Sequence, residues 1–327
     1  MVVWISCDHQ KKSIVFIHEE NASCESQKTS PFMGLPMSMK VFNNQLFISD
    51  FHGDSLIIRY DLKSQTEIGR FASRGNGPNE FISPILLFVS DSALFIHSMG
   101  NRIFGYFPGS IYEQTETSTF KSLFNVPEMA VHMFPLDSQR FLATGFFEQG
   151  RYAILNDRGE IVSYFGSYPE YLKGEKDRPT INRGMYHQVM YEANYPAKKL
   201  ICLSNHVLEI LDFSSEVPKS VESILLSPYD YDYSTNNFIT SKSKENTVFG
   251  AIAISSTENY VYVVYNPNTL KDKLNPANSE IWVFDWKGTP VKKLIPDKNI
   301  NNIVAISDHL LYGISDLPDP TLISISF

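Results

Sequence analysis

Cysteine is scarce in this chain of 327 residues: Cys7, Cys24 and Cys202 are the full set. An odd number at wide spacing excludes a disulfide framework, and no Cys-x-x-Cys pair offers a metal or redox centre. Basic runs are missing as well. No five consecutive Lys or Arg occur and the formal net charge is −8. A protein that tracks nucleic-acid phosphates carries a basic stripe, so nucleic acid is not an expected partner. Nor is there a polybasic patch for a membrane surface. No apolar run approaches the ~20 residues that span a bilayer. The catalytic signatures HExxH, GxSxG and the P-loop are absent. Asp230-x-Asp232-x-Ser234 opens like an EF-hand but lacks the glycine at its sixth position and the glutamate at its twelfth. No metal or cofactor is therefore expected. A 3.6-residue apolar period is found nowhere; only four-residue stretches such as 170–173 allow a single helical turn.

What is present is β-forming. Hydrophobic residues make up 43 % and charged residues 20 %, the balance of a packed globular chain rather than a disordered one. The abundant Phe and Tyr suit pleated, half-buried surfaces. Short apolar runs recur in groups of four, separated by Asn, Asp, Gly and Ser that tolerate turn conformations. The first group lies at 39–42, 45–49, 55–60 and 66–71. The second lies at 85–89, 93–97 and 102–106, with a weaker run near Phe120. The third lies at 130–134, 140–144, 152–155 and 161–165, the last pair joined by the turn Asn156-Asp-Arg-Gly159. The fourth lies at 188–191, 199–203, 207–211 and 223–226. The fifth lies at 251–254, 260–265, 280–284 and 290–294. The sixth has only three runs, at 303–306, 309–313 and 321–327.

Units of this length predict an all-β, six-bladed β-propeller of four-stranded antiparallel blades. Seven blades would leave no room for the insertions at 167–187, 227–247 and 266–279. The incomplete sixth unit needs a strand from elsewhere, because a propeller must cover the edges of its first and last blades. Residues 13–18, Ser-Ile-Val-Phe-Ile-His, are expected to supply it. The propeller is therefore placed at 13–327. Cys202, in the run 199–203, reads as a small buried hydrophobe.

The first group carries the most specific signal. Leu46-Phe-Ile-Ser-Asp-Phe-His-Gly53, Tyr60-Asp61 and Ser73-Arg-Gly-Asn-Gly-Pro-Asn-Glu-Phe81 resemble the TolB-like six-bladed propeller family of secreted bacterial proteins. The last stretch is similar to that family's Arg-Gly-x-Gly-Pro-x-Glu-Phe loop. The motif covers the first blade, whereas the repeat covers most of the chain. The resemblance implies fold and compartment more than chemistry, since broader six-bladed relatives include peptide and glycan binders, lactonases and lyases. Members often carry a lipoprotein signal. The start Met1-Val-Val-Trp-Ile-Ser-Cys7 resembles the end of such a signal, with Cys7 as the lipidated residue and 1–12 as a tether. The other reading of Cys7 is an ordinary buried residue of an N-terminal strand.

In a propeller, the loops between second and third strands and those between blades gather at one mouth. That mouth is expected to hold Asp50, His52, Arg74, His97, Arg102, Glu148, Arg151, Arg183, Tyr186, His187 and Tyr231. Arg, His and aromatic side chains suit a polar ligand. Each also has a structural reading. Gly75, Gly77 and Pro78 shape a turn whose Arg74 and Glu80 tie blades together, Asp50 caps a loop, and the tyrosines of 229–233 fold onto a blade. The expected function is that of a monomeric cell-envelope binding or scaffold propeller, periplasmic or outer-membrane-anchored. Its partner is a polar small molecule, glycan, peptide or envelope protein, and its only membrane contact is a lipid on Cys7. The alternative is a hydrolase or lyase with a channel-mouth site, metal-dependent in one version.

Overall fold

A computed structural model describes residues 14–113, 119–236, 238–272, 278–316 and 319–327. The proposed tether at 1–12 and Cys7 lie outside the described residues. The chain forms six four-stranded groups arranged as blades. Blade 1 comprises Pro36–Phe42, Gln45–Asp50, Ser55–Asp61 and Thr66–Ser73. Blades 2, 3 and 4 repeat the same up-and-down order, starting from the inner strands Pro84–Ser90, Ala130–Pro135 and Met190–Asn194. Blade 5 starts at Val248–Ser256 and blade 6 at Asn302–Ser307.

Strands in the middle of each blade are apolar on both faces because both faces are covered. In Gln45–Asp50, Leu46 and Ile48 point into the core shared with blade 6, and Phe47 into the core shared with blade 2. Successive side chains on a strand alternate between faces, so a strand packed on both sides reads as a continuous apolar run. Four further cores of this kind link the other blades, and together the six close the ring. The first blade's inner hairpin turns at Asn43 and Asn44, both at positive φ (47° and 60°). This is the geometry that lets a two-residue turn follow the strand twist. Among the described residues no helix is long and apolar enough to cross a membrane.

The ring closes through the N-terminus, but not through the expected segment: of it, residues 14–18 are described and form no strand. The closing strand is Glu19–Ser26. Its second half, Ser23 to Ser26, pairs antiparallel with Thr321–Ser326 as the outer strand of blade 6. Its first half, Glu19 to Ala22, pairs parallel with Pro290–Pro296 of blade 5. One strand thus stitches two blades into an eight-stranded sheet. The sequence Glu-Glu-Asn-Ala-Ser-Cys-Glu-Ser has only two apolar positions, Ala22 and Cys24, both buried. An outer strand needs little more, because its other face meets water. The more apolar segment before it does a different job. Ile14 and Phe16 pack against the core between blades 4 and 5, with Phe16 5.3 Å from the Trp282 ring and 5.7 Å from Phe284.

A second departure is a helix, Thr180–Tyr186. Seven residues are too few to display a helical period in sequence. Gly184 lets this helix lie close on blade 3, because a Cβ there would stand 2.8 Å from the Gly145 carbonyl.

Removing residues 1–26 is expected to expose the edge of Thr321–Ser326 and destabilise the protein by on the order of 3–5 kcal/mol, through lost ladder bonds and the uncovering of the core that Ala22 and Cys24 seal. Urea denaturation and size-exclusion chromatography check this; a truncated protein as stable and as monodisperse as the parent would refute the closure.

Candidate functional site

All six inner strands start at the same end of the ring. The connections between blades emerge there as well, so this end is the mouth. Below it lies a chamber of about 270 Å³ in the central channel. Every inner strand contributes to its wall. Met37 and Met39, Ile85, Phe134, Met190 and Ile252 are among its apolar lining. Polar groups are few: Ser38, Lys40, His132, Glu192 and Asn302. The floor is an ion pair across the ring. Lys40 of blade 1 donates from Nζ to Glu192 Oε1 of blade 4 at 2.6 Å. The other carboxylate oxygen, Oε2, accepts from Ser256 Oγ of blade 5 at 3.2 Å. Both charged residues also line a smaller cavity of about 190 Å³ towards the opposite end, with Val41, Phe88 and Tyr195. The pair therefore divides the channel into two compartments.

His132 faces the chamber, and burial pushes its imidazole down to about 4. Behind it in blade 2, His97 is 1 % exposed and its Nδ1 has no hydrogen-bond partner among the described residues. Burial, with the neighbouring His132, pushes it down to about 3. The chamber wall is thus uncharged at neutral pH, and its formal charges sit at the floor.

The expected site residues lie in these connections or at the strand ends beside them, but their contacts divide them into separate groups. Asp50 is buried, and its carboxylate accepts the backbone N–H groups of Gly34 (2.9 Å), Leu35 (2.7 Å) and His52 (3.2 Å). It fixes the approach to the first inner strand. His52 is exposed beside it. Arg74 is also exposed; its Nε donates to the Gly53 carbonyl at 2.9 Å and an Nη to that of Phe51, whose ring lies under the guanidinium. These carbonyls belong to its own blade. Glu80 takes no part in that clamp: it accepts the Gly77 N–H at 2.7 Å and fills the space where a Cβ on Gly75 would lie. Arg102 is exposed and holds the Val126 carbonyl at 2.9 Å. Glu148 is exposed nearby on blade 3.

Arg151 is not at the surface. It is 1 % exposed and donates to Glu209 Oε2 at 2.5 Å, an oxygen that also accepts from Tyr152 at 2.6 Å. This triad locks blade 3 to blade 4.

Three of the remaining four, Tyr186, His187 and Tyr231, do come together, in a cap built from the two insertions that flank blade 4. Its centre is Glu175, 1 % exposed. Glu175 accepts hydrogen bonds from Tyr229 (2.6 Å), His187 Nε2 (2.7 Å), Tyr231 (3.3 Å) and the Leu172 N–H (3.2 Å). Burial alone would raise its carboxyl, but His187 and Tyr229 hold it below the ordinary value. Burial in turn keeps His187 low and neutral against the pull of Glu175. Tyr186 stacks on Tyr231 with centroids 3.9 Å apart, and the Arg178 guanidinium covers the other side of the cluster, 4.0 Å from the Tyr231 ring. The Tyr/Asp tract therefore forms one strand of a hairpin, Tyr231–Ser234 with Thr240–Ser243, whose Tyr229 and Tyr231 are folded in and whose Tyr233 is exposed. Arg183 lies over Tyr168 at the cap's edge.

Sequence reasoning missed Lys40, Glu192, His132 and Glu175. A signal existed for the first two: each is a charge inside an otherwise apolar innermost run. Which face it points from depends on register, which the run alone does not give. Among the described residues no group of three or more His, Cys, Asp or Glu is placed to hold a metal ion.

With the ring and its channel defined, comparison with known proteins gives the family. The chain belongs to the TolB-like 6-blade propeller-like family, whose model matches residues 15–308. Among solved structures it is similar to a Bacteroides fragilis NCTC 9343 protein named as exported. The TM-score is 0.61 at 13 % identity, covering 94 % of this chain and 98 % of the other. BamB of Moraxella catarrhalis is a more distant likeness, with a TM-score of 0.43 at 12 % identity over 93 % of this chain and 92 % of that one. At these identities the likeness concerns the fold alone. No curated protein compared with the chain matches it.

The buried histidines make stability depend on pH. The unfolded chain takes up a proton at each near 6.5; His97 does not in the fold until about 3, nor His206 until about 4, and His187 is lowered as well. Stability is therefore lost as pH falls below 6.5, by roughly 2 kcal/mol for each of His97 and His206 at pH 5, and His187 acts in the same direction. Glu175, whose value is lowered, adds a loss only below its ordinary 4.5. Thermal melts are expected to show a clear drop from pH 7.5 to pH 5 and a shallower one in His97→Gln; equal slopes in parent and variant would contradict this.

Proposed function

We propose that this protein is an exported binding propeller whose ligand enters the mouth and lodges an apolar group in the upper chamber. The observation that carries the reading is the chamber itself, an apolar pocket walled by all six inner strands with a few polar groups at its rim and floor. Concave apolar sites with sparse, placed polar groups are what ligand pockets generally present. The lining favours a peptide, a protein segment or an amphipathic small molecule over a glycan, which would need more hydrogen-bonding groups along the wall. A hydrolase or lyase reading gains less support. No ligand cluster for a metal converges among the described residues, and the His187–Glu175 pair is sealed beneath tyrosines.

Methyl-labelled methionine NMR tests the site, because Met37, Met39 and Met190 all line the chamber while Met133 is buried between blades 2 and 3. A fragment and short-peptide library is expected to contain binders that shift the three chamber methyls and leave Met133 in place. Ile252→Trp, which fills the chamber from a partly buried position, should abolish those shifts without unfolding. Binders that act only elsewhere, or shifts that persist in Ile252→Trp, would overturn the reading.

Location outside the cytoplasm is supported by the family and by the exported Bacteroides neighbour. Anchorage through a lipid on Cys7 extends this. The full gene product is expected to take up a fatty-acid label in cells and to lose it in Cys7→Ala; labelling that survives the substitution would remove the anchor.

A further inference from the structure

The floor of the chamber specifies more than apolarity. Lys40 carries three N–H donors, and a lysine ammonium has no acceptor. One donor is engaged by Glu192 Oε1 at 2.6 Å. Each oxygen of Glu192 accepts one hydrogen bond, the second from Ser256 Oγ. The other two donors of Lys40 have no partner among the described residues, and they belong to a cation that lines the chamber. Above it the wall is mostly apolar, with Ser38, Asn302 and His132 as its polar groups, and the imidazole is held neutral by burial. At about 270 Å³ the chamber sits just below the range of about 300–1,000 Å³ typical of pockets for drug-sized ligands. It has room for one or two apolar groups, not for a folded element or a sugar chain.

We infer that the chamber takes an apolar carboxylate: a compact apolar body against the methionines and isoleucines, with its terminal carboxylate on the ammonium of Lys40. This rests on the binding reading above and names the chemical class. A hydrogen bond to a charged donor in a site largely shielded from water is stronger than one between neutral groups. Glu192 opposes the incoming charge and sets the affinity, since the carboxylate must share the ammonium with it. Ser256, which lines the lower cavity and not the chamber, holds one oxygen of that carboxylate, and the unengaged donors of Lys40 are those offered to the ligand. Two sources present the same chemistry: the free C-terminus of a peptide ending in an apolar residue, and a medium-chain fatty acid.

The probes are octanoate and a pentapeptide ending in leucine with a free carboxylate, each against its neutral amide, measured by calorimetry with the chamber methyls as the site monitor. Each carboxylate is expected to bind about tenfold more tightly than its amide, as one charge-assisted hydrogen bond implies. Whichever source binds more tightly identifies the natural one. Lys40→Met, which keeps the apolar stem, should erase that preference while amide binding is unchanged. Glu192→Gln should increase it. Equal affinity of carboxylate and amide in the parent protein overturns the inference and leaves the chamber as a neutral apolar site. A preference that survives Lys40→Met overturns the assignment of the cation. If none of these four probes moves the chamber methyls the inference fails, and the broader binding reading then stands or falls on the library screen alone.

Discussion

Every blade of this protein has two apolar faces, and neither is stable against water. That constraint organises the rest of the structure. A single blade cannot fold by itself, because covering one face leaves the other exposed. A row of blades passes the problem to its ends, and only a closed ring removes it. Blade 6 is the last to be covered, and its outer strand comes from the opposite end of the chain. The strand Glu19–Ser26 bonds to blade 6 along one half and to blade 5 along the other. Its Cys24 N–H also donates to Asp297, just beyond the last strand of blade 5, at 3.0 Å. Closure therefore couples the two chain ends and two neighbouring blades in one element.

The channel is a by-product of closure. Six inner strands that begin at the same end bring their first residues to one mouth and leave a hole along the axis. Its width is set by the ring, so its chemistry is set by side chains that point inward. Most are apolar, and Lys40 and Glu192, from opposite blades, meet across it. At 19 % and 14 % exposure both side chains are mostly buried, so the cost of desolvating two charges offsets much of their attraction and the pair contributes little net stability. Its importance lies in placement: it divides one channel into two compartments and gives the upper one a charged floor.

Polar groups elsewhere serve the frame. Asp50, Arg74 and Arg102 hold loop backbone, which has few other partners where blades are joined. Arg151 and Glu209 fasten blade 3 to blade 4. Glu175, ringed by two tyrosines and a histidine, fastens the blade 4 insertions into a cap. A buried carboxylate with this many donors is fully committed, and losing any one donor leaves an acceptor without its bond.

The amino-acid sequence by itself determined the number of blades and most of their strands. The recurring four-run pattern with polar turns has no other compact solution, and the runs are apolar because both faces are buried. The turns at Asn43-Asn44 and at Asn156-Asp-Arg-Gly159 were legible for the same local reason: these residues accept the backbone conformations a tight turn requires. Local pattern pointed to the wrong N-terminal segment for closure, since the apolar stretch 14–17 was attractive and the polar strand Glu19–Ser26 was not. An outer strand faces water on one side and so lacks the apolar signature of a central one. The tertiary structure alone decided which charges face the channel. Lys40 and Glu192 are 152 positions apart, and their meeting depends on register, twist and the radius of a closed ring. The same holds for Glu175 and its tyrosines, which are brought together by two insertions folding on each other. Local chemistry fixes strands and turns; a contact between distant residues exists only once the whole ring has formed.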